Sequence, residues 1–95
     1  MRFKKHRAKV EFEYEFEDGS VETFTYLSTT TNQIEKSFGI KDDDVKGQFE
    51  FSMNILKENI VGNRADDLIV EIKEGNIFDF KSALDDELGK QKKKR

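Results

Sequence analysis

The stretch from Val10 to Tyr26 constrains the fold more than any other part of the chain. Val10-Glu11-Phe12-Glu13-Tyr14-Glu15-Phe16 alternates apolar and acidic side chains, the period of a strand with one buried face. Asp18-Gly19 marks a tight turn, and Val21-Glu22-Thr23-Phe24-Thr25-Tyr26 resumes in extended character. Two registers compete. A two-residue Asp18-Gly19 loop pairs Phe16 with Val21 and turns Phe24 and Tyr26 onto the glutamate face. A three-residue loop, Glu17-Asp18-Gly19, pairs Phe12 with Phe24 and Val10 with Tyr26. That loop is a type I turn followed by a left-handed glycine in a bulge. It gathers Val10, Phe12, Tyr14, Phe16, Phe24 and Tyr26 on one face, so the three-residue loop is expected. Glu11, Glu13 and Glu15 then lie opposite, beside Thr23 and Thr25. They read either as an ordinary solvated face or as an acidic edge that steers a basic partner and resists edge-to-edge pairing.

The rest of the chain reads as helices. Thr30 and Gln33 have capping-box spacing, with Asn32 and Glu35 a second frame. They open a helix over about 31–38, with Ile34 and Phe38 on one face and Gly39 as its stop. Asp42-Asp43-Asp44 places carboxylates at the positive end of a longer helix, about 44–61. There Val45, Phe49, Ser52 or Met53, Leu56 and Ile60 recur at helical spacing and Gly62 ends the run, while Gly47 allows a later start. Asn63 is expected to cap 65–74, with Leu68, Ile69 and Ile72 inward and Gly75 as the stop. Asn76 is expected to cap 77–88, with Ile77, Phe80, Leu84 and Leu88 as its stripe before Gly89. The expected fold class is α+β: an N-terminal antiparallel hairpin, about 9–17 and 20–27, then four short helices. One domain covers 1–89, and residues 90–95 form a disordered basic tail.

Composition bounds the function. In 95 residues with 35% apolar content, nine Phe supply much of the core, and 39% of the residues are charged. The longest apolar run is Leu68-Ile69-Val70, far short of the roughly 20 residues of a membrane span. No hydrophobic leader follows the basic start Met1-Arg2-Phe3-Lys4-Lys5, so a cytosolic location is the simplest expectation. The chain has no cysteine and one histidine, which removes disulfides, thiolate nucleophiles and Cys-containing zinc sites. His6 sits in the basic run Lys4-Lys5-His6-Arg7 and reads as an exposed residue before the first strand. Five of the 17 basic residues fall in Lys90 to Arg95, leaving an acidic body that repels phosphates. Nucleic-acid contact is therefore confined to the tail.

Asp42 to Gly47 resembles the start of a calcium loop, but Lys46 stands at position five and Met53 at position twelve, where a bidentate glutamate is required. Helix capping explains the segment better. Asp85-Asp86-Glu87 lies near a helix C-terminus, where carboxylates oppose the dipole; pairing with the tail and contact with a partner both account for it. No phosphate-cradling loop, nucleophile elbow or paired histidines occur. The expectation is a non-enzymatic protein without cofactor or metal.

The order of features resembles the small tail assembly chaperones of lambda-like long-tailed bacteriophages. The hairpin Glu17 to Tyr26 carries the likeness first. Ser28-Thr29-Thr30-Thr31-Asn32-Gln33-Ile34 follows, similar to the segment opening that family's first helix, with Ser28 or Thr29 where proline is often found. Phe51 to Gly62 is similar to the middle helix, and Asn76-Ile77-Phe78-Asp79-Phe80 to Leu88 precedes a lysine-rich end. The resemblance implies a scaffolding role in the bacterial host cytoplasm: coating the tape-measure protein, recruiting tail-tube protein, and absence from the finished virion. A longer frameshifted product is common in that family, and Lys92-Lys93-Lys94 is compatible with a slippery adenine run. Phe51 and Phe78, each offset from its helix stripe, are the candidate contact residues, together with Glu11, Glu13 and Glu15. Self-association is a further expected contact. The alternative is a small acidic inhibitor or regulator that binds a basic or nucleic-acid-binding partner.

Overall fold

A computed structural model gives the structure of residues 7–93. The elements run β1 (Lys9–Glu15), β2 (Val21–Leu27), α1 (Thr31–Ser37), α2 (Val45–Asn59), β3 (Ile60–Val61), α3 (Ala65–Glu74) and α4 (Ile77–Lys93). The fold class is α+β, as expected from the sequence. His6 and the last two residues of the tail lie outside the described residues.

The hairpin adopts the three-residue loop. Val10 opposes Tyr26, Phe12 opposes Phe24 and Glu15 opposes Val21. The Gly19 amide donates to the Phe16 carbonyl at 2.9 Å, and the Phe16 amide donates to the Ser20 carbonyl at 2.8 Å. Gly19 has φ +89°, the left-handed value the bulge needs. Asp18 Oδ1 accepts from the Ser20 amide and hydroxyl, which closes the turn. These hydrogen bonds, made by Ser20, hold the Asp18 carboxyl below its ordinary range.

One face of this sheet meets the helices. Val10, Phe16, Phe24 and Tyr26 are buried with Leu56, Leu68, Ile69, Ile72, Ile77, Leu84 and Leu88, and Phe12 and Tyr14 pack against that core. Phe12 stacks on Phe24 with ring centroids 5.7 Å apart and meets Phe80 edge-on at 5.8 Å. α2 packs on β2 and β3, α4 on β1 and α2, and α3 on α2 and α4. The contacts of α2 with β2 and of α4 with β1 join elements distant in sequence and lie on one face of the sheet.

Several boundaries differ from expectation. The strands stop at Glu15 and start at Val21, trimmed by the turn. The long helix ends at Asn59, and Ile60–Val61 leaves it to pair antiparallel with β2, Tyr26 opposite Ile60 and Thr25 opposite Val61. This third strand is absent from the sequence reading. Two β-branched residues before Gly62 suit a strand, and the exposed edge of β2 offers the hydrogen bonds. At Gly62 a Cβ would lie 2.8 Å from Phe24 Cδ1 and 3.0 Å from the Thr23 carbonyl, so the chain needs glycine to pass this close to β2. Asp44 does cap α2, accepting from the Gly47 amide at 2.9 Å, and the helix starts at Val45 despite Gly47.

Asn63 does not cap α3. Arg64 occupies the cap position in a left-handed conformation, φ 63°, and makes no side-chain cap bond. Its guanidinium instead covers the Phe16 ring at 4.1 Å and donates to Asp67 and to the Ser20 hydroxyl, tying α3 to the hairpin turn. Asn76 caps α4 as expected, accepting from the Asp79 amide at 3.1 Å. α4 continues through Gly89 to Lys93 rather than stopping at 88. Gly39, Gly75 and Gly89 are not left-handed stops. Lys90 extends the last helix and pairs with Glu87 at 3.0 Å, a basic side chain favoured near the helix C-terminus.

Candidate functional site

The structure brings Phe51 and Phe78 together. Both line a hollow of about 300 Å³ with Ser37, Ile40, Asp42 and Gln48. Phe51, on α2, is half-buried and packs against the core. Phe78, at the start of α4, is 41% exposed and meets the Phe49 ring edge-on at 6.4 Å. The offset of Phe78 from the Ile77, Phe80 and Leu84 stripe is what leaves it there: Ile77 and Leu84 turn inward, and the next residue along must turn out. Val45, expected in the α2 stripe, is 66% exposed one helical turn before Phe49. The N-terminal half of α2 and the start of α4 therefore form an apolar surface.

α1 borders this surface. Ile34 and Phe38 share one face as expected, but that face is not the buried one: they are 44% and 77% exposed, and the buried residue of α1 is Gln33. The cause is a polar anchor. Thr30 and Gln33 form the expected capping box. The Gln33 side chain also donates to Asn59 Oδ1 at 2.8 Å and to Glu58 at 2.7 Å, and Asn59 donates back to Gln33 Oε1 at 3.2 Å. Arg7 adds a bond to Asn59 Oδ1 at 3.0 Å and one to the Ser28 carbonyl at 2.8 Å. Asn59 is fully buried, so every member of this cluster needs a partner. Placing Gln33 inward turns Ile34 and Phe38 out. The signal for it was the interruption of the α2 stripe by Asn59 between Leu56 and Ile60.

The acidic candidates sit elsewhere. Glu11, Glu13 and Glu15 are exposed on the sheet face away from the helices, beside Thr25, Thr23 and Val21. None of the three pairs with a cation among the described residues. Two other carboxylates instead meet tyrosines of the core face, Tyr26 buried and Tyr14 partly buried. Tyr26 donates to Asp85 at 2.9 Å, and Asp85 pairs with Lys81 at 2.8 Å; Tyr14 donates to Glu71 at 3.1 Å. Burial, reinforced by the facing carboxylate, pushes both phenols above their ordinary pKa. Asp85, the first residue of the acidic cluster in α4, thus has a structural role. Among the described residues no three His, Asp or Glu side chains are arranged to hold a metal, and no helix is long and apolar enough to cross a membrane. The sequence matches no protein-family model and no curated protein, and the structure matches no solved structure.

Proposed function

We propose that this protein works by protein contact, as a non-enzymatic tail assembly chaperone that engages tape-measure and tail-tube proteins. The observation that carries the contact reading is Phe78, exposed beside Phe49 and Phe51 on a surface extended by Val45 and α1. Aromatic side chains concentrated in a partly hollow surface are characteristic of interface centres. An acidic, highly charged body keeps such a surface soluble. The tail-assembly role rests on the family resemblance of the hairpin, the Ser28 to Ile34 segment and the two later helices. The test is co-purification with a tail-tube or tape-measure protein at micromolar concentration. Wild type is expected to be retained and Phe78→Ser to lose at least tenfold in affinity with unchanged circular dichroism, the size of a 1.4 kcal/mol hot-spot contact. No association of the wild type would overturn the reading.

The exposed Glu11, Glu13 and Glu15 favour a second reading, an acidic regulator of a basic partner. In that case reversing the three glutamates abolishes partner binding, while Phe78→Ser leaves it intact.

A further inference from the structure

α2 carries a basic groove on an otherwise acidic molecule. Its buried side presents Ser52, Ile55, Leu56 and Asn59, and its opposite side exposes Lys46, Glu50, Asn54 and Lys57. Together with Lys73 of α3, those residues line a groove of about 560 Å³ floored by Phe49 and Met53. None of the three lysines has an acidic partner within 4.0 Å among the described residues. Glu50 offsets one of the three positive charges.

The outer face of the sheet has the matching character. Glu11, Glu13 and Glu15 stand in a row, with Lys9 the one basic residue in line with them. Val21, Thr23 and Thr25 lie alongside on β2, and Val61 lies opposite Thr25 on β3; Val21 and Val61 are both exposed. The dimensions agree. Glu11 to Glu15 covers about 13 Å at 3.3 Å per strand residue, and Lys46 to Lys57 about 16 Å at 1.5 Å per helical residue. A gap of that size is within the reach of lysine side chains.

We propose that the occupant of the lysine groove is a second copy of this chain, seated by its glutamate stripe, with Val21 and Val61 over the Phe49 and Met53 floor. The helices cover one face of the sheet, and the groove lies on the side of α2 turned away from it. Stripe and groove therefore face opposite ways, and the contact is head-to-tail. Such a contact leaves a free groove at one end and a free stripe at the other, so association is open-ended rather than dimeric. This contact shares Phe49 with the partner surface above but does not use Phe78, so Phe78→Ser should leave it intact.

Sedimentation velocity on the full chain tests it. At about 50 mM salt, where charges act beyond about 10 Å, the average sedimentation coefficient is expected to rise with protein concentration; at about 1 M, where screening is about 3 Å, it should stay flat. K46E/K57E/K73E and E11K/E13K/E15K alter only exposed positions, and each alone should remain monomeric with wild-type circular dichroism. K46E/K57E is a milder second groove variant and should shift association in the same direction. Mixing the two triple variants is the decisive step, because the first keeps the stripe and the second keeps the groove. One compatible contact then exists per pair, so the mixture should form a 1:1 dimer and go no further. A wild type that stays monomeric at low salt overturns the proposal. So do triple variants that associate like wild type, or a mixture that does not pair.

Discussion

The hairpin and α1 make the same kind of sequence promise and meet different ends. In the hairpin, apolar side chains at alternate positions become a buried face: Phe24 and Tyr26 are almost wholly enclosed, and Phe12 is sandwiched between Phe24 and Phe80. In α1, Ile34 and Phe38 stand four residues apart, as regular a spacing for a helix, and both face solvent. The difference lies in what anchors each element. The hairpin is held by apolar area against α2 and α4. α1 is two turns long, too short to hold itself, and is held by Gln33, whose amide is shared with Asn59, Glu58 and the Thr30 backbone. A periodic apolar face thus shows which side could be buried, while the polar anchor decides which side is.

Removing the apolar anchor should do the most damage. Phe24→Ala empties a site enclosed by Phe12, Phe16 and the β3 crossing at Gly62. A loss of about 3–5 kcal/mol is expected in urea unfolding, the range for deleting a buried phenylalanine. A loss below about 1 kcal/mol would mean that the hairpin is not the centre of the core. Asn59→Ala attacks the other kind of anchor. It strips Gln33 and Arg7 of a common partner inside the protein, at a cost of about 1–3 kcal/mol. Hydrogen exchange separates the two effects: Asn59→Ala should expose the α1 amides while β1 and β2 stay protected. Uniform loss of protection would show that α1 and the hairpin unfold as one unit.

These contrasts also mark how far the sequence is legible. The hairpin register followed from side-chain chemistry alone, because only one loop length puts Phe24 and Tyr26 with Val10 and Phe12. The α3 stripe and the Asp44 and Asn76 caps were equally readable, since each depends on residues within a turn of one another. β3 was not, because Ile60 also continues the α2 apolar stripe and only the edge of β2 draws it and Val61 out. Arg64 was missed for the same reason: what holds it left-handed is a phenylalanine and a serine in a distant turn. Of the candidate site, the offset of Phe78 was legible, but the exposure of Ile34 and Phe38 was not. It depends on an amide at position 59 reaching one at position 33. Whatever needed a partner distant in sequence was the part that local pattern could not supply.

Tyr26 joins the two modes of anchoring, an aromatic ring in the core with its hydroxyl on Asp85. Its pKa is raised above the ordinary 10.0, first by burial and then by the Asp85 charge. The folded state therefore favours the neutral phenol. Its contribution is complete below pH 10.0 and is lost as the pH climbs above it, because the unfolded tyrosine ionises first. Wild type should thus lose stability above pH 10.0 more steeply than Tyr26→Phe, although at neutral pH the variant is weaker by about 1 kcal/mol for the missing hydrogen bond. Tyr14 shifts in the same direction and is present in both proteins, so the difference between the two curves isolates Tyr26. Parallel curves would show that the Tyr26 hydroxyl is not held buried beside Asp85 in solution.

The smallest effect is expected where the sequence shows an apolar helix face and the structure leaves that face in solvent. Ile34→Ser with Phe38→Ser removes two apolar side chains from α1 but none from the packed interior, and leaves Gln33 in place. The change in stability should stay within about 0.5 kcal/mol, the range of ordinary surface substitutions. For a chain of this size that is a melting shift of about 2–4 °C at most. A loss above about 2 kcal/mol would mean that α1 turns its apolar face inward in solution and surrenders the Gln33 to Asn59 pairing. The comparison would then reverse, because the apolar period would outrank the amide cluster in placing the helix. A neutral result with intact α1 protection leaves Ile34 and Phe38 as exposed apolar surface for which the fold has no use.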